Sequence, residues 1–577
     1  MRYFFQLIPS FIKLFWRFRL EFLLLLLLLP AVADIFKPGF FPMHDDLQVF
    51  RLYEIHKCLL DGQIPCRWVP DAGYGYGYPL MEFYPPMPYY PMELMVLLGA
   101  GYFLPVKVMF ALAFLLSGLG MYLLAKEFFG RWGGILAGVI YVYSPYHSVD
   151  IFVRGAMNEG WGMVWFPFVL LYIYRLITKE KSKTNFILLS LALALQFTSH
   201  NVMTLVFAPT AIIWAIFWMW KTGKFMAVKN LFLVGLLGIG LSAFFFIPVV
   251  LEQKFVHVDS MTVGYFNYLA HFADIKQLFL SRFWGYGGST WGPEDGMSFS
   301  IGHLQWIGAV LAALIALIRL SFSRKLADGP WRGKSLPMMI IMLVAFGFIY
   351  AFLTHSRSNF IWERLSILQF AQFPWRLVAL IVFYFSFASG YLVTVSIPKM
   401  VRPILFAIFI ICIITFNIGF FHFERHVRIT TQEKLSSLQW ELQVTGGIFD
   451  YLPRSAPKPP GDPAFTIPQF LVGRGGILNF LAGSNWMSFD VNSSTPVAKV
   501  MLPLYTFPGL TTRVDGAKVS TEIDPELGRV VVTVTQGVHH VESRIGYTTV
   551  RLFSDLLTLF SILLLFKLIS DDRKHST

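Results

Sequence analysis

Runs of apolar residues long enough to cross a hydrocarbon layer, roughly 20 residues each as a helix, recur along most of this chain. They fall near 15–36, 106–126, 134–151, 160–178, 184–199, 202–220, 230–250, 303–320, 336–353, 375–396, 402–422 and 549–568. A chain built this way buries its apolar surface against lipid and neighbouring helices. Only 14% of its residues are charged, against about a quarter in a soluble protein. The expected fold is a polytopic α-helical membrane protein of about 12 spans.

The formal charge of +13 would suit nucleic acid, but its placement argues against that. The stretch from Glu424 to Tyr547 holds eleven acids and eleven bases. The excess sits in short connections, such as Lys13, Arg17 and Arg19, or Arg319, Arg324, Lys325, Arg332 and Lys334. Lys and Arg in short loops mark the cytoplasmic side. With the N-terminus inside and 88–104 taken as a re-entrant or interfacial helix, the remaining basic connections alternate correctly. Lys126 and Arg131, Lys179 to Lys183, Lys221 to Lys229, Lys399 and Arg402, then Arg573 and Lys574 all fall inside. Both termini are then cytoplasmic, and every long loop lies outside a cell (inner) membrane. The run 22–33 after Lys13, Arg17 and Arg19 looks like a signal peptide but lacks an isolated small-residue cleavage site. It is expected to be an uncleaved first span.

Three parts follow from this: 1–422, a transmembrane domain with external loops 37–105, 152–159 and 251–302; 423–548, an external β-rich domain; and 549–577, a last span and cytoplasmic tail. Trp486–Val491, Val497–Phe507 and Arg529–Gln536 are strand-prone, with turns at Pro508-Gly509 and Asp515-Gly516. Several such strands predict a sandwich-like module. Asn492-Ser-Ser reads as a glycosylation acceptor or as a plain surface turn. Cys58 and Cys66 lie in the first external segment, where a disulfide is chemically allowed. Cys412, in an apolar span, reads as a packing residue.

Polar groups concentrate at the outer ends of spans. His44-Asp45-Asp46 follows the first span, and paired carboxylates at a membrane surface are costly unless solvated, paired or used. The plain alternative is that Asp45 or Asp46 caps the helix running into Leu47–Leu59. An aromatic, glycine-rich run follows, Tyr74-Gly-Tyr76-Gly-Tyr78-Pro79. Its glycines let backbone approach a ligand, and its rings offer apolar faces with polar edges. Sugars suit that combination, as does an interfacial aromatic belt. Arg154-Gly-Ala-Met-Asn-Glu159 carries a guanidinium fit for phosphate and a carboxylate for a metal, a sugar hydroxyl or Arg154 itself. His200 lies at the same depth. The loop 251–302 adds Tyr265, His271, Trp284, Tyr286 and His303, either a groove for carbohydrate or polyprenyl or an anchored interfacial loop. Arg376, in Gln372-Phe-Pro-Trp-Arg376, either snorkels to lipid phosphates in general or holds the phosphate of one lipid carrier.

This order of features resembles the C-type (GT-C) fold membrane glycosyltransferases, which include oligosaccharyltransferase catalytic subunits, protein mannosyltransferases and lipid A aminoarabinose transferases. Their acidic motif after the first span looks like His44-Asp45-Asp46, and their second polar motif looks like Arg154 to Glu159. A closer resemblance, over nearly the full length, is to bacterial and archaeal membrane proteins labelled "6-pyruvoyl-tetrahydropterin synthase-related". Phe373-Pro-Trp-Arg376, Asp450-Tyr-Leu-Pro453, Phe507-Pro-Gly509 and Val514-Asp-Gly516 carry it. Leu510 departs from that pattern, which often has Trp, and no pterin chemistry is implied.

The resemblance implies transfer of a sugar from a polyprenyl-phosphate-linked donor to an envelope glycan, lipid or protein acceptor, usually with inversion. Asp45 or Asp46 is then the base, and Arg154, His200 and Arg376 meet the leaving phosphate. His44, Tyr76, Tyr78, Glu159, Tyr265, His271, Trp284, Tyr286 and His303 are candidates for the substrate groove. A divalent cation, Mg or Mn, bridging Asp46 and Glu159 is a further expectation. No Walker loop or dinucleotide fingerprint is present, which favours a lipid-linked donor. The competing readings are a noncatalytic glycan-binding or envelope-assembly protein, and a lipid or polysaccharide transporter, whose ionisable groups would sit nearer the midplane in repeated broken helices.

Overall fold

The computed structural model describes residues 18–179, 183–292, 294–322, 335–396, 398, 400–447 and 449–576, with backbone alone for 322 and 572–576. Lys13, Arg17, Lys181, Arg324, Lys325, Arg332, Lys334 and Lys399 lie outside the described residues, and the side chains of Arg573 and Lys574 are likewise not described.

The helical part comprises α1 (18–32), α2 (Gln48–Leu60), α3 (Phe103–Val142), α4 (Met157–Thr178), α5 (Lys183–Ser199), α6 (Asn201–Thr222), α7 (Ala227–Leu241), α8 (Ala243–Glu252), α9 (His303–Phe322), α10 (Ser335–Thr354), α11 (Val378–Ser389) and α12 (Arg402–Asn417). A short helix, α13 (Ser437–Thr445), precedes the strands, and α14 (Thr549–Ser576) follows them. Eight helices among the described residues are long and apolar enough to span, or nine if α7 and α8, bent by 84° at Ser242, form one broken span. This is a multi-pass membrane protein.

Several of the twelve expected runs are not separate long helices among the described residues. Only fifteen residues of α1 are described, and α5 has seventeen residues. The runs 106–126 and 134–151 meet in α3, whose 40 residues include Gly130 at φ 73°. A straight helix of that length would reach about 60 Å, twice a hydrocarbon layer. Instead the halves fold back on each other. A Cβ on Gly134 would lie 2.7 Å from Tyr122 O, and one on Gly138 would lie 2.8 Å from Gly118 O. The segment 88–104 holds only the helix Tyr89–Leu97, about 14 Å long and too short to cross. Cys412 is exposed on α12 and does not pack inside the bundle, because that helix buries few of its residues.

The strands are β1 (Gln469–Val472), β2 (Gly475–Ala482), β3 (Trp486–Tyr505), β4 (Leu510–Val514), β5 (Ala517–Val519), β6 (Glu522–Ile523) and β7 (Arg529–Ile545). They form one antiparallel sheet in the order β1-β3-β7-β4-β5, with β2 added to β3 and β6 to β7. The expected sandwich is therefore a single sheet. In place of a second sheet, its inner face packs on the segment 37–87, with Trp68 against Phe507 and Tyr76 against Tyr505 at ring separations of 5.7 and 5.4 Å. The two predicted strands 486–491 and 497–507 are one strand, irregular between Ser493 and Val497 where it pairs with β7. Asn492 is thus not in a surface turn; it pairs across to Gly476 and Val538. Asp515 and Gly516, at φ 50° and 79°, make the β4–β5 turn, as their sequence suggests.

The last helix is tied back to the first loop by charge. Arg551 donates to Glu82 and Glu252, each at 3.0 Å, and Arg67 pairs with Asp555 at 2.6 Å. Cys58 and Cys66 form a disulfide with Cα atoms 5.4 Å apart.

Candidate active site

The acidic loop and the Arg154 loop are joined through their backbones. His44 N–H donates to Val153 O at 3.1 Å and Asp45 N–H to Arg154 O at 2.8 Å. The approach is so close that a Cβ on Gly155 would strike Met43 Sδ at 2.2 Å; the same glycine adopts φ 63°, which a side chain disfavours. The segments that sequence motifs single out separately are one structural unit.

That unit lines a cavity of about 630 Å³, within the range of substrate sites. Asp45, Asp46, Arg154, His200 and Arg376 all line it, with His44, Glu159 and Tyr265. Neither aspartate caps α2, whose N-cap is Leu47 without a side-chain bond. Asp45 Oδ2 instead accepts from Arg51 Nη1 at 2.8 Å and Gln48 Nε2 at 3.0 Å. Asp46 Oδ2 accepts from Lys434 Nζ at 2.6 Å, while its Oδ1 is buried without a partner. Burial raises the Asp46 pKa, and Lys434 opposes the shift.

At the other end lies a cluster of cations and carboxylates. Arg154 pairs with Asp150 and, at 2.9 Å, with Glu159. Glu159 also accepts from Tyr146 OH at 2.8 Å and Arg376 Nε at 3.2 Å. Arg376 is steered further by Gln372 Oε1 at 2.7 Å and Ala371 O at 2.9 Å. Gln372 itself adopts φ 63°, a strained conformation for a side-chain residue. The Arg154 guanidinium lies 4.5 Å from the Trp375 ring centre. Trp375 is fixed by a relay in which its Nε1–H donates to Ser289 Oγ at 3.1 Å, Ser289 lies 2.8 Å from His271 Nδ1, and His271 Nε2–H donates to Tyr265 O at 2.5 Å.

His200 opens α6 by accepting Met203 N–H on Nδ1 at 3.1 Å. When neutral, it therefore carries its proton on Nε2. Burial, then the Arg376 charge, push its pKa down to about 3. At neutral pH it brings a hydrogen-bond donor to this end and no charge, which differs from its expected place among phosphate-binding cations.

The other expected groove residues divide. His44 faces the cavity and donates from Nε2 to Tyr286 O at 2.9 Å, so Tyr286 stands one layer behind. His271 belongs to the same supporting layer through Ser289. Tyr78 is buried beside the site, its hydroxyl donating to Gly447 O at 3.4 Å. Trp284 packs on Phe420 at 5.3 Å, and His303 meets Phe416 at the head of α9; neither lines the cavity, because their loop turns them onto the helix ends. Tyr76 lines a second cavity, of about 830 Å³, between the first loop and the sheet. The two cavities share α13 as a wall: Gln439, Leu442 and Gln443 face the first, and Trp440, Glu441 and Val444 the second.

Among the lining residues not expected at this site from sequence are Arg51, Gln372, Lys434 and Asp450. Asp450 lies within a stretch noted for family likeness and Gln372 just before one; Arg51 and Lys434 carry no such signal. The carboxylates do not fit the expected bridging cation. Asp46 already holds Lys434, Glu159 holds two arginines, and among the described residues no three metal-ligating side chains gather.

Residues 84–251 match the sequence family described as dolichyl-phosphate-mannose-protein mannosyltransferase. That stretch is similar to a family of sugar transferases. It contains Arg154, Glu159 and His200, and excludes Asp45, Asp46 and Arg376. An uncharacterized protein of Lactococcus lactis subsp. cremoris is 24% identical over 254 residues, 42% of this chain and 41% of that protein. The oligosaccharyltransferase of Archaeoglobus fulgidus aligns with 73% of this chain and 57% of its own, at 13% identity and a TM-score of 0.43. ArnT from Cupriavidus metallidurans, bound to undecaprenyl phosphate, aligns with 68% of this chain and 63% of its own, at 14% identity and a TM-score of 0.40. The chain thus spans less than two thirds of each of these relatives' lengths.

Proposed function

We propose that this protein is an inverting membrane glycosyltransferase. It moves a sugar from a polyprenyl-phosphate-linked donor to an envelope glycan, lipid or protein acceptor on the outer face. The observation that carries this reading is one cavity with carboxylates at one end and, at the other, two buried arginines beside a neutral histidine. Each end answers a need of the reaction. An acceptor hydroxyl is a poor nucleophile and must give its proton to a carboxylate as it attacks the anomeric carbon. The departing lipid phosphate gains charge, which Arg154 and Arg376 meet with directed donors while His200 Nε2–H adds a neutral one. The match of residues 84–251 to a mannosyltransferase family agrees with this chemistry. So does the likeness of His44-Asp45-Asp46 and of Arg154 to Glu159 to motifs of the C-type transferases. No metal step is invoked.

The topology proposed with it has twelve spans, both termini cytoplasmic and the cavity external. The Cys58–Cys66 disulfide supports that side, since such bonds persist in oxidising compartments. Residues 1–422 form the catalytic membrane domain, 423–548 the external β domain that closes over it, and 549–577 the last span and tail.

The test uses the full chain in lipid nanodiscs. Undecaprenyl phosphate should bind, and labelled sugar should pass from polyprenyl-linked donors of the source membranes to envelope material. Asp45→Asn and Asp46→Asn, the motif's two carboxylates, should fold and bind the lipid phosphate, and at least one should fail to turn over. Full transfer by both and by their double variant would remove the motif's catalytic role. Cysteine labelling should place residue 44 outside and residue 329 inside.

A further inference from the structure

Of the acidic residues lining the transfer cavity, Asp450 differs from the rest. Asp45 is held by Arg51 and Gln48, Asp46 by Lys434, and Glu159 by Arg154 and Arg376. The Asp450 side chain lines the same cavity, yet among the described residues no ion pair or hydrogen-bond donor engages its carboxylate. A carboxylate clamped by a cation has its lone pairs committed and its proton affinity reduced. One without a partner, facing a cavity, is free to accept a proton.

The backbone around Asp450 is fixed more firmly than a solvated loop acid requires. Before it, the chain turns at Gly447, at φ 67°, and Asp450 N–H closes the turn on Gly447 O at 3.0 Å. Ser260 Oγ–H donates to Phe449 O at 2.9 Å. After it, Tyr451 stacks on Phe83 at 5.7 Å. His257 N–H donates to Leu452 O at 3.0 Å, and Arg454 N–H to Phe255 O at 2.8 Å, an isolated β-bridge between Val256 and Pro453. The segment 255–260 therefore holds the main chain on both sides of one unpaired acid, and Phe83 holds the ring next to it. Such preorganisation is what a reacting group needs.

Its electrostatic surroundings agree. Burial pushes the Asp450 pKa up to about 6, against the Arg51 charge and with the Asp45 charge. The titratable groups facing it are Arg51 of α2, Asp45 of the acidic loop, Tyr78 of the first external loop and its own neighbour Tyr451. The charges acting on His200 are instead Arg376, Glu159 and Arg154. Asp450 thus shares the field of Arg51 and Asp45 at the acid end of the cavity.

We infer that Asp450 is the general base of the transfer, with Asp45 and Asp46 as fixed anions that position the acceptor and Arg51. This rests on the transferase reading above. In the step, the acceptor O–H proton passes to an Asp450 carboxylate oxygen as that hydroxyl oxygen bonds to the anomeric carbon. The bond from that carbon to the phosphate oxygen breaks, and its electron pair leaves with the lipid phosphate, whose added negative charge falls to Arg154 and Arg376. The protonated Asp450 then releases its proton to water.

The experiment compares wild type, Asp450→Asn, Asp450→Glu and Asp45→Asn as full chains in nanodiscs. It measures undecaprenyl phosphate binding and the pH profile of transfer from polyprenyl-linked sugars. Wild-type transfer should fall about tenfold per pH unit below about 6, as an essential base is protonated. Asp450→Asn should bind undecaprenyl phosphate as wild type does, transfer at least ~100-fold more slowly, and lose the acid limb of the profile. Asp450→Glu should keep measurable transfer with a shifted limb. Transfer by Asp450→Asn within about threefold of wild type, or an unshifted acid limb in Asp450→Glu, overturns the assignment while leaving the transferase reading intact. Wild-type protein that binds undecaprenyl phosphate but never transfers takes down both.

Discussion

The two ends of the cavity are built in opposite ways. At the cation end, Arg154 and Glu159 are buried and Arg376 nearly so, and each ion answers another on a neighbouring helix end. At the acid end, Asp45, Asp46, Arg51, Lys434 and Asp450 come from the first loop, α2 and the segment before the sheet, and the aspartates keep contact with the open cavity. One end is a closed network in which removing a member strands its partners. The other is an assembly of distant segments in which Asp45 and Asp46 each answer one cation, Arg51 and Lys434, and among the described residues Asp450 answers none. Binding and structure should therefore depend on the first, and turnover on the second.

The largest effect is expected from Arg154→Ala, which leaves Asp150 short of its cation and Glu159 with Arg376 alone. Breaking such a buried pair costs about 3–5 kcal/mol, so thermal unfolding in detergent should fall and undecaprenyl phosphate binding should be lost. Unchanged melting and binding would erase the contrast between the ends. Asp45→Asn, which loosens Arg51 and the acceptor's position, should lower transfer by roughly 10²-fold and leave lipid-phosphate affinity within about threefold; a parallel loss of binding would show the ends are not separable. Replacing Cys58 and Cys66 by Ser should cost about 2–3 kcal/mol of stability for so short a loop, seen as a lower melting point with donor affinity retained. The smallest effect belongs to His200→Gln, about tenfold in undecaprenyl phosphate affinity for one hydrogen bond. Because His200 stays neutral down to about pH 3, binding should show no step between pH 5 and 8 from this group. A step near pH 6.5 that vanishes in the variant would make it a cation after all.

The same contrast explains what the sequence could reveal. Charges interrupting apolar runs are expensive, so Asp45, Asp46, Arg154, Glu159 and Arg376 stand out, and all five line the cavity. Lys434 and Arg51 lie in stretches where charge is ordinary, and nothing local marks them. Asp450 was visible only as part of a family-like tetrad. Tyr76 had the right chemistry for a groove and the wrong address, because pairing of the first loop with the sheet decides which cavity it lines. The reversal inside α3 was legible as the charged connection from Lys126 to Arg131 between the runs 106–126 and 134–151, and Gly130 at φ 73° makes the turn there. For the β region, strand propensity located β3 and β7 and could not tell one sheet backed by a loop from two sheets facing each other.

The nine-residue helix α13 is the party wall of two chambers, with alternate faces on each. It is short, enters through Ser437 at φ 54° and leaves at the Gly446-Gly447 pair, three residues before Asp450. A ligand in the chamber that Tyr76 lines would meet Trp440 and Val444, and one in the other chamber would meet Leu442 and Gln443. Occupants of the two rooms would thus lean on opposite faces of one short rod, without any atom crossing between them.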